Sequence, residues 1–208
     1  MKVLALSPHT DDIELGAGGF LQFVEGCIRV IAFSTGNPES GATKQEFAAS
    51  MESLKIGDHE CLDFTTRLFP AQRQEVLDRM VWEHRKYTPD LVLVPASTDC
   101  HQDHQVVHDE AIRAFRRCSI LGYELPWNNP TGFKSQFYVP LSMYGIRGKI
   151  AALEKYTSQW GIRSSVNADA IRSLARIRGM QIGNQYAEAF EVIRWIWNVP
   201  DIRDKVLS

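Results

Sequence analysis

The sequence predicts an α/β protein with a Rossmann-like, mostly parallel sheet, helices on both faces and a smaller C-terminal lobe. The chain has 208 residues, 44% of them hydrophobic, which suffices for one domain with a sizeable core. Through residue 118, apolar runs alternate with segments of helical spacing, as in parallel α/β sheets. The runs are apolar throughout, as expected for strands covered on both faces. We therefore treat 1–208 as a single domain with a Rossmann-like core over 1–118.

The strand candidates are short apolar runs that end in turn-forming residues. They lie at residues 3–6, 29–33 and 91–94, with a late candidate at 192–197. The helix candidates have apolar residues at helical spacing. They lie after the Gly16–Gly19 stretch and at residues 43–56, 73–87, 104–117, 149–160 and 168–179. Residues 119–148 carry three prolines and many aromatic residues, so this stretch predicts loops and short strands. The segment 119–208 is expected to complete the site.

Composition excludes several classes of protein. The formal net charge is -2 and no Lys/Arg block stands out, which argues against nucleic acid as the main partner. No run of about 18 apolar residues is present, so no membrane span is expected. The four cysteines form no C-x-x-C pair, and the apolar N-terminal run is too short for a signal peptide. These features predict a cytoplasmic protein with reduced thiols.

The first polar cluster, Ser7–Glu14, follows the first predicted strand. His9 and the adjacent carboxylates Asp11 and Asp12 are residue types that bind borderline metals such as zinc, with one carboxylate left over as a base. An alternative is that one of these aspartates caps the helix that follows. The glycines in Gly16–Gly19 also suggest a phosphate-binding turn, although their spacing does not match G-x-G-x-x-G.

The second polar cluster follows the strand at 91–94. His101, Asp103 and His104 lie near the start of the next helix, and His108 is one helical turn beyond His104. His108 is more typical of a core or boundary histidine, because its helix face is otherwise apolar. Asp103 is suited to orient a histidine ring.

Ligands of open parallel sheets bind beyond the carboxyl ends of the strands, so the two clusters are expected to meet. Together they supply three metal ligands and leave a position open for water, as in catalytic zinc sites. A spare carboxylate can take the proton of that water, and a spare histidine can assist the oxyanion or the leaving amine. The residues alone therefore predict metal-assisted hydrolysis of an amide or ester.

The stretch Ser7–Gly19 resembles the opening motif of the LmbE-like (PIG-L) deacetylases. His101–His104 looks like their His-Pro-Asp-His motif, and 178–190 resembles a third motif near the end of the chain. The resemblance implies a Rossmann-like fold and zinc-dependent removal of an N-acetyl group from an amino sugar. It also implies that His9, Asp12 and His104 are the metal ligands and that Asp11 is the general base. His101 would assist at the oxyanion or the leaving amine, with Asp103 oriented to it.

The sequence departs from the family pattern at several positions. Thr10 and Gln102 replace prolines, Lys44 is the basic residue where the family often has arginine, and Tyr156 replaces a histidine. Lys44 and Tyr156 are therefore candidate substrate contacts, and Glu188 is a third, with a purely structural role as the alternative. The aromatic side chains of Trp127, Tyr138 and Tyr144 are candidates for a sugar-binding wall or for packing.

Three functions remain open from the sequence. The first is a zinc-dependent N-deacetylase that acts on an N-acetylglucosamine-type amino sugar or its conjugate, a small-molecule substrate. The second is a metal-dependent amidase or esterase with a non-sugar acyl substrate. The third is a nucleotide-binding module without metal, in which Gly16–Gly19 hold phosphates. A homo-oligomer is plausible from the aromatic content of 123–147.

Overall fold

The computed structural model describes residues 1–36, 43–162 and 166–197. Its strands are β1 (Lys2–His9), β2 (Cys27–Ser34), β3 (Asp58–Cys61), β4 (Leu91–Pro95), β5 (Ser119–Tyr123), β6 (Phe137–Leu141) and β7 (Tyr186–Arg194). Its helices are α1 (Asp12–Leu21), α2 (Lys44–Ser53), α3 (Arg73–Tyr87), α4 (Gln102–Ala114), α5 (Met143–Leu153) and α6 (Ala168–Met180), with a 3-10 turn at Pro126–Asn128. None of the helices in these ranges is long and apolar enough to cross a membrane.

The strands form one sheet in the order β3-β2-β1-β4-β5-β7-β6. The first five of these are parallel, whereas β7 runs antiparallel to both β5 and β6. The predicted α/β class with a mostly parallel sheet is therefore confirmed, and the C-terminal strands add an antiparallel edge to it. The order of strand addition reverses at β1, so a crevice forms where β1 and β4 end side by side.

Both faces of the sheet are covered by helices, as predicted. Successive side chains of a strand point to opposite faces, and along β1 Val3 and Ala5 join one buried cluster while Leu4 and Leu6 join the other. The first cluster includes side chains of α1, α2, α5 and α6, and the second includes side chains of α3 and α4. The uninterrupted apolar strands of the sequence reflect this burial on both faces.

Several element boundaries differ from the sequence prediction. The late strand begins at Tyr186 rather than 192 and ends at Arg194, because its first half is buried against α6 and the neighbouring strands. Helix α5 begins at Met143, where the Ser142 side chain caps it, and ends at Leu153 rather than 160. Strand β3 was not predicted, since its charged residues hide the apolar signal; Asp58 and Glu60 pair with Arg29 of β2.

The glycines of the first motif serve packing rather than phosphate binding. Gly16, Gly18 and Gly19 all lie inside α1, so the alternative of a phosphate-binding turn at these glycines is wrong. A Cβ at Gly16 would lie 2.3 Å from the ring of Tyr123, a fully buried side chain of β5. The absence of a side chain lets α1 approach the sheet closely.

We expect Gly16→Ala to lower the free energy of unfolding by about 1–3 kcal/mol, the usual cost of overpacking a core. Alanine adds about 1 kcal/mol of helix propensity, but the buried Tyr123 ring has to move to admit the methyl group. Urea denaturation measures the change. Gly57→Ala is the matched control, because a Cβ there has no atom within 4 Å. Equal stability of Gly16→Ala and wild type would contradict this packing.

Candidate metal centre and active site

Two turns at the carboxyl end of the sheet carry the polar clusters. One joins β1 to α1 between His9 and Asp12, and the other joins β4 to α4 between Pro95 and Gln102. Because β1 and β4 are neighbours in the sheet, the two turns meet, as the sequence predicted. The backbone N–H of His9 donates to Oδ2 of Asp12 at 2.8 Å, which holds this carboxylate beside the imidazole.

Three donor atoms converge at this point. Oδ2 of Asp12 lies 3.1 Å from Nδ1 of His9 and 3.2 Å from Nε2 of His104. The two ring nitrogens are themselves 3.2 Å apart. Zinc bonds to imidazole nitrogen and carboxylate oxygen at about 2.0–2.2 Å, so three donors at these separations fit one ion. Two imidazoles and one carboxylate are also a donor set that zinc accepts.

His101 is a fourth potential donor at the same place. Its ring centroid is 5.0 Å from that of His9 and 4.5 Å from that of His104, and one nitrogen from each of the three rings fits within 4.8 Å. Nδ1 of His101 accepts the backbone N–H of Asp103 at 3.2 Å, which caps α4. His101 is therefore held at the edge of the donor cluster by the start of its own helix.

Two buried carboxylates orient His9 and His104. Oδ2 of Asp103 lies 3.2 Å from Nε2 of His9 and accepts the backbone N–H of Arg67 at 2.7 Å. The expectation that Asp103 orients His101 is therefore corrected, because its carboxylate faces His9. Asp99, which the sequence analysis missed, lies 2.8 Å from Nδ1 of His104. A carboxylate behind each metal-ligating histidine is the usual arrangement in zinc proteins.

The histidines and carboxylates of this cluster stabilise one another's charged forms. Burial lowers the pKa of His9, but hydrogen bonds to Asp103 and Asp12 outweigh it and raise that pKa to about 9. Burial likewise opposes the charge on His104, whereas Asp12 and Asp99 raise its pKa to about 10. Burial disfavours ionisation of Asp12, yet the charge and hydrogen bond of His104 hold its pKa well below the ordinary value. The site therefore stabilises positive charge.

Asp11 directly precedes α1, but its side chain does not cap the helix. It occupies the N-cap position, and its side chain makes no capping hydrogen bond, so the capping alternative is wrong for this residue. Asp11 is 6% exposed and lines a cavity of about 270 Å³ together with His9, Asp12 and His104. We name it the metal-site cavity after these candidate ligands. Its other lining residues include Leu15, Thr35, Thr66, Arg67, His101, Trp127, Asn128 and Gln159.

Tyr156 lies beneath the site rather than in it. Its side chain is fully buried, and its hydroxyl lies 2.5 Å from the carbonyl oxygen of Thr10 and 2.7 Å from Oε1 of Glu14. The predicted substrate contact of Tyr156 is therefore corrected to a structural role. The Tyr156 hydroxyl donates to Oε1 of Glu14, and the Ser50 hydroxyl donates to the same oxygen at 2.6 Å, so Glu14 is held in a buried hydrogen-bond network.

Burial, the largest influence, raises the pKa of Glu14 to about 8, far above its ordinary value of 4.5. The folded protein then keeps a proton on Glu14 that the unfolded chain releases. The contribution of this proton to the free energy of unfolding is therefore present in full below about pH 4.5 and is lost as the pH rises through 8. In that window the loss approaches about 1.4 kcal/mol per pH unit. We expect Glu14→Gln to flatten this slope in urea titrations across the window from weakly acidic to weakly alkaline pH. Glu52→Gln, on an exposed position of α2, is the control, and an unchanged slope in Glu14→Gln would contradict the buried proton.

The other two predicted substrate residues also lie elsewhere. The Lys44 ammonium pairs with Asp63 at 2.7 Å on the surface, away from the residues found to line the metal-site cavity. Glu188 accepts the backbone N–H groups of Gly19 and Phe20 and pairs with Lys149 at 2.7 Å. It therefore ties α1 to β7 and α5, which is the structural alternative.

Of the aromatic candidates, Trp127 lines the metal-site cavity. Tyr138 instead bonds to Ser135 and Gln181, and Tyr144 is 67% exposed on α5. Arg67, on the same cavity, was missed by the sequence analysis. Its backbone has a positive φ of 69°, and Gln102 donates to its carbonyl oxygen. No local sequence pattern marks such a contact between distant loops.

Comparison with known proteins shows which family this chain matches. The family model for PIG-L, GlcNAc-PI de-N-acetylase, matches residues 4–115. The deacetylase YaiS of Escherichia coli (strain K12), uncharacterized by its own description, is 30% identical over 168 residues, which cover 75% of this chain and 90% of YaiS.

Solved structures share the fold over nearly the whole chain. The conserved protein TT1542 from Thermus thermophilus has a TM-score of 0.76 at 25% identity, and the match covers 96% of this chain and 97% of that protein. The N,N'-diacetylchitobiose deacetylase from Pyrococcus horikoshii has a TM-score of 0.73 at 20% identity, with coverage of 92% and 83%. At that identity the second match supports the fold alone. From the family match and the relative at 30% identity, the chain belongs to the PIG-L family and is an N-deacetylase hydrolase.

Proposed function

We propose that the protein is a zinc-dependent hydrolase that removes the N-acetyl group from an N-acetylglucosamine-type amino sugar or its conjugate. The observation that carries the proposal is the convergence of donor atoms of His9, Asp12 and His104 within 3.2 Å of one another, in one cavity with Asp11. The family description and the diacetylchitobiose deacetylase among the structural neighbours support the sugar class.

His9, Asp12 and His104 are the residues that would hold the ion. A zinc ion bound there supplies Lewis acidity, which lowers the pKa of water and polarises an acyl carbonyl. Asp103 and Asp99 each accept the outer ring N–H of one histidine, so the opposite nitrogen is the one that would release its proton and offer a lone pair to an ion.

Asp11 acts as the general base in this proposal. A carboxylate on the cavity wall beside the metal ligands can accept the proton of the attacking water and pass it to the leaving amine. His101 takes the oxyanion role. Its pKa is lowered, chiefly by burial, so at neutral pH it is a neutral ring with one N–H to donate to the developing oxyanion.

The remaining wall of the metal-site cavity suits a sugar. Trp127 offers a large aromatic face against which the apolar side of a pyranose can pack. Arg67 and Asn128 bring hydrogen-bond donors to the same cavity. We assign these side chains to sugar recognition in place of Lys44, Tyr156 and Glu188.

The proposed setting is the cytoplasm, with a small-molecule substrate. Cys27, Cys61, Cys100 and Cys118 are free thiols, which fits a reducing compartment. A homo-oligomer remains part of this proposal and is measured by light scattering of the purified protein.

A substrate panel tests the function. The zinc-loaded enzyme is assayed for acetate release from N-acetylglucosamine, diacetylchitobiose and an N-acetylglucosaminyl conjugate, beside simple N-acetyl amides and acetyl esters. We expect kcat/KM to be highest for an amino-sugar substrate. Faster release from the non-sugar amides or esters would favour the alternative, a metal-dependent amidase or esterase, and would overturn the sugar assignment.

A further inference from the structure

A second cavity, of about 460 Å³, adjoins the metal-site cavity. It lies between α1, α6 and β7, and we name it the apolar cavity. Leu15 and Trp127 line both cavities, so these two side chains form their common boundary. A ligand of the metal-site cavity therefore has a second space within reach.

Small side chains create this space. Ala170 and Ala175 on α6 and Ala187 and Ala189 on β7 all line the apolar cavity. Protein interiors are close-packed, with few voids larger than a water molecule, whereas a volume of several hundred Å³ is typical of a ligand site. The alanines leave room between a helix and a strand that larger residues would fill.

The charged groups on the cavity wall already have partners. Lys149 pairs with Glu188 at 2.7 Å, and Nε of Arg178 donates to Glu124 at 2.8 Å. The rest of the wall is largely aliphatic and includes Ile171. With its charges satisfied within the protein, the cavity favours an apolar ligand over an ionic one.

We propose that the apolar cavity holds an apolar aglycone, an alkyl group attached to the amino sugar on the side opposite its acetamide. This inference rests on the proposed function. The acetyl group that the enzyme removes is far too small for the space, so the occupant belongs to the part of the substrate that is kept. Transfer of each methylene from water into such a cavity is worth roughly a three-fold gain in affinity.

The test uses methyl, butyl and hexyl glycosides of N-acetylglucosamine below their micelle concentrations. We expect kcat/KM for acetate release to rise roughly three-fold per methylene, or about 240-fold over the added methylenes from methyl to hexyl. Equal kcat/KM across the series overturns the inference while leaving the deacetylase function intact. A gain that appears instead with longer N-acyl groups on the methyl glycoside also overturns it, because the apolar group would then lie on the acyl side.

Variants that fill the cavity provide the second arm. Ala175→Phe and Ala170→Phe are expected to abolish the preference for the hexyl glycoside and to leave the methyl glycoside unaffected. Ser173→Phe, on the exposed side of α6, is the matched control and should keep the preference. Ala170 is only partly buried, so a phenylalanine is better tolerated there, and the Ala170→Phe variant is the one measured if Ala175→Phe does not fold. A preference that survives in a folded cavity variant overturns the inference.

Calorimetry with the amine products separates the two proposals. The hexyl and methyl glycosides of glucosamine bind without turnover, so their Kd values report on the cavity even if no substrate releases acetate. Tighter binding of the hexyl product is expected. Equal Kd values would overturn the aglycone site, whereas tight hexyl binding without acetate release from any sugar would overturn the proposed reaction.

Discussion

The Asp11→Asn variant is expected to bind zinc as wild type does and to lose most of its turnover. Asparagine keeps the size and polarity of the side chain but cannot take a proton from water. General-base catalysis contributes about 10²–10⁴-fold to rate, so kcat should fall by a factor in that range. Acetate release under saturating zinc measures the loss, and elemental analysis of the same sample measures the metal.

Asp63→Asn is the matched control for Asp11→Asn. Asp63 is a largely exposed carboxylate that pairs with Lys44 outside the cavity, so its amide should leave kcat unchanged. If Asp11→Asn retained full activity with zinc bound, the base would have to be another group, and the assignment of Asp11 would be wrong. If it lost zinc, Asp11 would be a ligand, and the roles of Asp11 and Asp12 would be exchanged.

The His104→Ala variant is expected to lose zinc and, with it, deacetylase activity. His104 supplies the donor that lies within 3.2 Å of both other proposed ligands, so its removal leaves two donors where catalytic zinc sites have three. Zinc affinity, measured by competition with a chromogenic chelator, should fall by more than about 100-fold, beyond the effect typical of an outer-shell partner.

Two further variants give the zinc affinity of His104→Ala an intermediate and an unchanged reference. Asp99→Asn weakens the carboxylate behind His104 and should reduce zinc affinity by roughly 10–100-fold. His59→Ala, whose ring bonds to the Ile56 carbonyl away from the site, should leave the affinity unchanged. Wild-type affinity in His104→Ala would mean that His9, His101 and a carboxylate hold the ion instead, since His101 lies within reach of the same position.

Helix α3 and strand β4 illustrate how much of the fold local patterns predict. The observed α3 spans Arg73–Tyr87, the predicted range, and β4 spans Leu91–Pro95 against a predicted 91–94. Helix α3 has apolar residues at helical spacing and β4 is an uninterrupted apolar run, and burial in the core reinforces both signals. Strand β3 was not predicted, because charged residues do not indicate a buried strand. Its Glu60 carboxylate is paired with arginines of β2 and α3, and these partners are far away in the sequence.

The sequence by itself determined the α/β class and the two polar turns, which carry the metal-ligand candidates His9, Asp11, Asp12, His101 and His104. It could do so because parallel strands place their carboxyl ends at one edge of a sheet, so a cluster after each strand must meet its neighbour. Motif resemblance supplied the choice between Asp11 and Asp12.

Only the tertiary structure decided which groups surround that centre. It placed Asp103 behind His9 and Asp99 behind His104, buried Tyr156 and Glu188 in structural networks, and brought Arg67 and Trp127 to the cavity. These contacts join loops that are tens of residues apart, and they depend on side-chain direction and on the close approach of α1 at Gly16. Neither quantity is encoded in local periodicity, because both result from how the completed layers pack against one another.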